Sequence, residues 1–85
     1  MELDRIGLRH GRLRHLNAGT IGVVDVKEAD EEGLPEVVAF VKDDGERDIS
    51  LRPGDTFSIG NETWRLDHIK DADDLNWTVV FVRIE

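Results

Sequence analysis

Three histidines, His10, His15 and His68, are the side chains in this sequence best suited to metal or proton chemistry, and they stand among nineteen Asp and Glu. Imidazole ligands need no fixed spacing when they come from different strands, so the three could hold a metal only if the N-terminal segment packed against the strand bearing His68. The only serines, Ser50 and Ser58, fall at positions read as outward-facing in alternating segments. Either would need a histidine and an orienting carboxylate brought to it by the fold before it could act as a nucleophile. DADDLN, residues 71–76, resembles a calcium loop in its clustered carboxylates. Asn76 nevertheless stands where the sixth-position glycine belongs, and Val82 where the bidentate glutamate at the twelfth belongs. No Walker loop, GxGxxG, HExxH or CxxC occurs. The expectation is a protein that is not an enzyme, with no metal and no cofactor. Trp64 and Trp77 could stack bases or sugars, but in nucleic-acid binders such platforms line a basic groove. Here the neighbourhood is acidic, and both rings are expected in the core.

Charge sharpens that reading. Residues 1–15 carry Arg5, Arg9, Arg12 and Arg14 against Glu2 and Asp4, a net plus 2, whereas the other seventy residues hold seven bases and seventeen acids, a net minus 10. A slightly basic arm precedes an acidic body. Such a body repels phosphates and anionic lipid and attracts basic surfaces, so neither nucleic acid nor membrane is an expected partner. There is no cysteine, no charged start followed by an apolar leader core, and no apolar run of the roughly 20 residues that cross a bilayer. The expected location is the cytoplasm. Acidic loops concentrate the charge, and Glu31, Glu32, Asp71, Asp73 and Asp74 are the candidate contacts for a basic protein partner.

The positioning elements read as strands. Ile6 and Leu8 alternate up to His10-Gly11, and residues 10–18 have room for a short helical turn. In TIGVVDVK, 20–27, Ile21 and Val23 share one face while Gly22, Val24 and Val26 share the other. EVVAFVK, 36–42, is apolar on both faces and reads as a central strand; DDGE, 43–46, reads as a hairpin turn using glycine at positive φ. Arg47, Ile49 and Leu51 alternate with Asp48 and Ser50, and Arg52-Pro53-Gly54-Asp55 then turns the chain. GDTFSIGNETWRL, 54–66, is a hairpin folded through Gly60-Asn61, with Phe57 and Ile59 answering Trp64 and Leu66. Beyond Leu66 the period slips, which predicts a bulge or a strand end near Asp67-His68. WTVVFVRI, 77–84, is again apolar on both faces.

These spacings predict an all-β fold, a small antiparallel barrel or sandwich of six or seven short strands forming a single domain over residues 1–85. Val38, Phe40, Phe57, Trp64, Leu66, Val79 and Phe81 are its expected core. Two strands apolar on both faces need cover on both sides, and a chain of 85 residues has little to spare. Either the sheet closes into a barrel or a partner subunit covers one face, and a monomer or weak homodimer is expected.

LRPGDTFSIGNETWRLD, with WTVVFVRIE at the end and LRHG near the start, resembles a family of small all-β proteins from Streptomyces and related actinobacteria with no assigned role. The resemblance is carried mainly by the C-terminal 35 residues. It implies a bacterial, cytosolic β protein and transfers no catalytic or binding residue. Two functions remain in competition: a non-catalytic acidic protein-interaction module, or a small-molecule or metal-binding β-barrel accessory to an enzyme.

Overall fold

A computed structural model describes residues 4–27, 35–71 and 77–85. Eight strands follow in order: β1 Asp4–Leu8, β2 Leu13–Leu16, β3 Gly19–Lys27, β4 Glu36–Lys42, β5 Glu46–Leu51, β6 Thr56–Ile59, β7 Glu62–Lys70 and β8 Thr78–Arg83. They form two antiparallel four-stranded sheets, one in the order β1-β8-β7-β6 and one in the order β2-β3-β4-β5. The architecture is thus all-β, and of the two expected forms it is the sandwich. The additional strand is β2, which occupies the stretch expected to hold a helical turn. Its residues pair with β3 from Leu13↔Gly22 to Leu16↔Gly19, so the pairing offered by β3 outweighs any weak local preference for a turn.

Each sheet presents one apolar face to the other. From β3–β5 come Ile21, Val23, Val37, Ala39, Val41 and Leu51; from the opposing sheet come Ile6, Leu8, Ile59, Trp64, Leu66, Val79 and Phe81, all buried. Trp64, Leu66, Val79 and Phe81 are core as expected, and Phe57 packs at the margin with its ring edge-on to Phe81. Val38 and Phe40 are not in the core. Both faces of EVVAFVK are apolar, so alternation alone could not choose between them. Pairing with β3 sets the choice, because Ala39 and Val41 oppose Val23 and Ile21 while Phe40 opposes Gly22.

Bulges decide two further residues. The register slips between Leu66 and His68, as the broken period predicted, leaving Asp67 as the extra residue. A second slip lies between Val23 and Asp25 in β3 and ejects Val24, which is 47% exposed. Past it Val26 opposes Val37 and packs against the core, so Val24 and Val26 do not share a face as the simple alternation suggested.

The two sheets are locked at one end by three turns. Asp43, in the β4–β5 hairpin, accepts the Gly60 N–H at 3.0 Å and the Arg47 guanidinium at 3.0 Å, while Arg47 also donates to the Ser58 carbonyl at 2.7 Å. The Gly60 amide and then the Arg47 hydrogen bond hold the Asp43 carboxyl at about 2, below its ordinary 3.8. Gly60 takes φ +57° with its backbone against Ala18. The Asp-Gly hairpin forms as expected, but Gly45 is not among the positive-φ residues. The loop between the paired Lys42 and Glu46 is three residues long.

Candidate functional site

Among the described residues no three His, Asp or Glu side chains converge as a metal group would require. The three histidines lie apart in role. His10 meets Trp77 edge-on at 5.7 Å, His15 Nδ1 lies 3.0 Å from the Thr20 hydroxyl, and His68 Nδ1 lies 2.7 Å from Asp67 Oδ2. Ser50 and Ser58 are exposed, as read, and no histidine hydrogen-bonds to either hydroxyl. Trp64 and Trp77 are both buried rather than displayed. The Trp64 indole N–H donates to Glu62 Oε1 at 3.0 Å, which satisfies its one polar atom. Of the candidate partner contacts, Asp71 is exposed with φ 56° at the end of β7. Glu31, Glu32, Asp73 and Asp74 lie outside the described residues.

Two surfaces remain where side chains are gathered. The first is the outer face of the β1-β8-β7-β6 sheet, where the bulged Asp67 accepts Arg65 at 2.9 Å through one oxygen and faces His68 through the other. Those partners, His68 first and Arg65 second, keep its carboxyl below the usual carboxylate range. Val80 and Val82 face this side yet are buried. Val82 lies in register between Arg5 and Arg65, residues of a type that lays its methylene stem along apolar surface. The outward valines of β8 are therefore buried within the chain itself.

The second surface is the outer face of the β2-β3-β4-β5 sheet, and it is not covered. One row across it runs Leu13, Gly22, Phe40, Asp48; the next runs His15, Thr20, Lys42, Glu46. Gly22 leaves the floor bare, so the Leu13 side chain folds over it: a Cβ at Gly22 would meet Leu13 Cδ2 at 2.3 Å. Leu13 is nevertheless 57% exposed. The ejected Val24 forms another wall, and together Gly11, Arg12, Leu13, Gly22, Val24 and Phe40 line an open cleft of about 450 Å³. Lys42 pairs with Glu46 at 3.7 Å. Arg47, between Glu46 and Asp48 in the sequence, is in register with the core residue Val41 and so belongs to the other face, where it reaches Asp43 and Ser58. The β5 flank of this face is acidic, with Glu46 and Asp48, while the β2 flank carries Arg12 and His15; Arg14, in register with the core residue Ile21, belongs to the other face. Among the described residues the side chains of Arg12, Arg14 and Asp48 make no ion pair.

The expectation of cover for doubly apolar strands was the one signal in the sequence for this face, and it pointed at residues 36–42. Leu13, Gly22 and Val24 carried none, because LRHL was read as part of a helical turn and the β3 bulge is invisible to a pattern of consecutive valines.

Among the described residues no helix is long and apolar enough to cross a membrane. Neither the curated proteins nor the solved structures contain a match to the chain. A family model does match, and it extends over residues 3–85, well beyond the C-terminal segment that carries the resemblance in the sequence. The chain belongs to that family, the family of unknown function DUF6406.

Proposed function

We propose that this protein is a non-catalytic protein-interaction module that docks a partner on the outer face of the β2-β3-β4-β5 sheet. The observation that carries the reading is the juxtaposition of exposed Leu13 and Val24 with half-buried Phe40 around a cleft floored by Gly22. Large apolar side chains gathered on one exposed sheet face commonly mark interaction surfaces, whereas singly scattered ones do not. Glu46 and Asp48 beside the cleft supply the charge that selects a basic partner and speeds encounter. The cleft volume lies within the range of small-molecule sites, but such sites also hold a few convergent polar groups, and the rows around Gly22 offer mainly aliphatic and aromatic carbon. The two sheets provide no barrel mouth for the competing accessory role. The likeness to actinobacterial proteins supports a bacterial setting, and a chain built without cysteine suits a reducing cytoplasm.

The test is partner capture followed by mapping. Amide exchange on the captured complex is expected to slow at Leu13, Gly22, Val24 and Phe40, and Leu13→Asp is expected to lose the partner while keeping the wild-type circular dichroism. Protection confined to the opposite sheet, or capture indifferent to Leu13→Asp, would overturn the reading.

A further inference from the structure

We infer that the basic partner is held on this face by an arginine side chain, with its methylene stem in the cleft and its guanidinium over the Phe40 ring against Asp48; the inference rests on reading the face as a docking surface. On the outward side of β4 the half-buried Phe40 has exposed Asp48 directly opposite on β5 and exposed Asp25 diagonally across on β3, just past the bulge. Opposed Cβ atoms on neighbouring strands lie about 4.5–5.5 Å apart and diagonal neighbours about 7–8 Å, both within reach of an aromatic or long side chain. Asp25 takes the Val26 N–H at 2.9 Å on one carboxylate oxygen. Neither Asp25 nor Asp48 makes an ion pair among the described residues. An aromatic ring bracketed by two carboxylates attracts a cation through the ring quadrupole and through charge together.

The other charged groups of the face leave that place to a visiting cation. Lys42, two residues along β4 from Phe40, pairs with Glu46 at 3.7 Å, and Lys27 pairs with Glu36 at 3.9 Å. His15 lies against the Thr20 hydroxyl. Arg12 lines the β2 end of the cleft, two strands or about 10 Å of sheet from Phe40, and exposed charges are largely screened beyond about 8 Å. Arginine suits the Phe40 end better than lysine, because a flat guanidinium stacks on a ring while its N–H edge meets a carboxylate, and it is more weakly hydrated than an ammonium. Its stem lies as apolar surface against Leu13, Gly22 and Val24, which line the cleft with Phe40. A wholly apolar side chain would leave both carboxylates unanswered, and a phosphate would meet them as like charge.

NMR titration of the full chain with an acetylated, amidated Gly-Gly-Arg-Gly-Gly peptide tests this, with citrulline or lysine in place of the arginine for comparison. The arginine peptide is expected to bind with a millimolar dissociation constant, and to move the amide signals of Gly22, Val24 and Phe40 together with the Phe40 ring signals. Citrulline keeps the shape without the charge, and its peptide is expected to bind about fivefold or more weakly, with lysine in between. Asp48→Asn and Phe40→Leu are each expected to weaken the arginine peptide about two- to fivefold. Phe40 lies outside the core, so its variant is expected to keep the wild-type circular dichroism; if it does not, Asp48→Asn and the citrulline peptide still decide. Citrulline or lysine binding as tightly as arginine, an Asp48→Asn variant that binds like wild type, or no movement at Gly22 and Phe40 at millimolar peptide each overturns the arginine assignment. The docking reading is judged apart from it: that reading stands if Leu13→Asp still loses a captured partner, and falls if capture survives.

Discussion

Asp43 and Trp64 each have their polar group held by a specific partner. Asp43 belongs to an exposed hairpin by sequence, yet its carboxylate ties the β4–β5 turn to the Gly60 amide of the other sheet. Its carboxyl sits at about 2 in the folded chain against 3.8 ordinarily. A folded value below the unfolded one means that the stabilisation is fully present above pH 3.8 and fades as pH falls toward about 2. The expected outcome is that Asp43→Asn flattens the acid limb of stability in that window and leaves the curve near neutrality parallel to wild type. Carboxyl carbon titration by NMR checks it, and a normal Asp43 midpoint would refute the cause. Trp64 has its N–H on Glu62 and its ring buried between the sheets. Trp64→Ala is expected to cost about 3–5 kcal/mol, the range for emptying a large aromatic site. Urea denaturation measures this, and a change below about 1 kcal/mol would mean that the ring is not a core element.

At the scale of the elements, glycines separate close approach from mere turn composition. A Cβ on Gly19 would lie 2.3 Å from the Lys42 carbonyl and 2.9 Å from Ile59 Cγ2, a backbone contact and a fully buried side chain, whereas one on Gly45 would meet nothing within 4 Å. Gly19→Ala should therefore fall at or above the upper end of the roughly 0.5–3 kcal/mol typical of single substitutions, and Gly45→Ala within about 0.5 kcal/mol of wild type. Thermal unfolding of the two variants side by side decides it, and the reverse order would contradict the packing. This contrast also marks the limit of what spacing reveals. The hairpins at 43–45 and 60–61 and the slip at Asp67 are legible because turn residues and period-2 patterns are local signals. The β3 bulge is not, since Val23-Val24 reads the same whether or not the ladder slips between them. The choice between Val37/Ala39/Val41 and Val38/Phe40 as the core face of β4 depends on which strand lies alongside, which no local window contains. The candidate docking face stayed hidden for the same reason, being assembled from β2, β3 and β4 by register alone.

For the molecule as a whole, the division into a basic arm and an acidic body turns out to be electrostatic and not architectural. The first described residues, Asp4–Leu8, form an edge strand on β8, and Leu13–Leu16 form an edge strand of the other sheet on β3. One short segment thus contributes a strand to each layer and crosses between them, with Arg12 N–H donating to the Arg9 carbonyl and Gly11 N–H to the Val23 carbonyl. Ile6 and Leu8 are core residues, at 4% and 5% exposure. Burying each contributes roughly 1.5–3 kcal/mol, and the pair together approaches the lower end of the 5–15 kcal/mol that holds typical domains folded. Removing residues 1–16 would also strip Val79 and Phe81 of their partners on β1 and expose the edges of β8 and β3. The expected outcome is a truncated chain that loses cooperative unfolding and its near-ultraviolet tryptophan signal, because the Trp77 ring forfeits His10 and Trp64 loses the sealed layer around it. If the segment were a separable charged tail, the shortened protein would melt within a few degrees of the full chain. That result would detach β1 and β2 from the core and, with them, remove the Leu13 side of the proposed docking face.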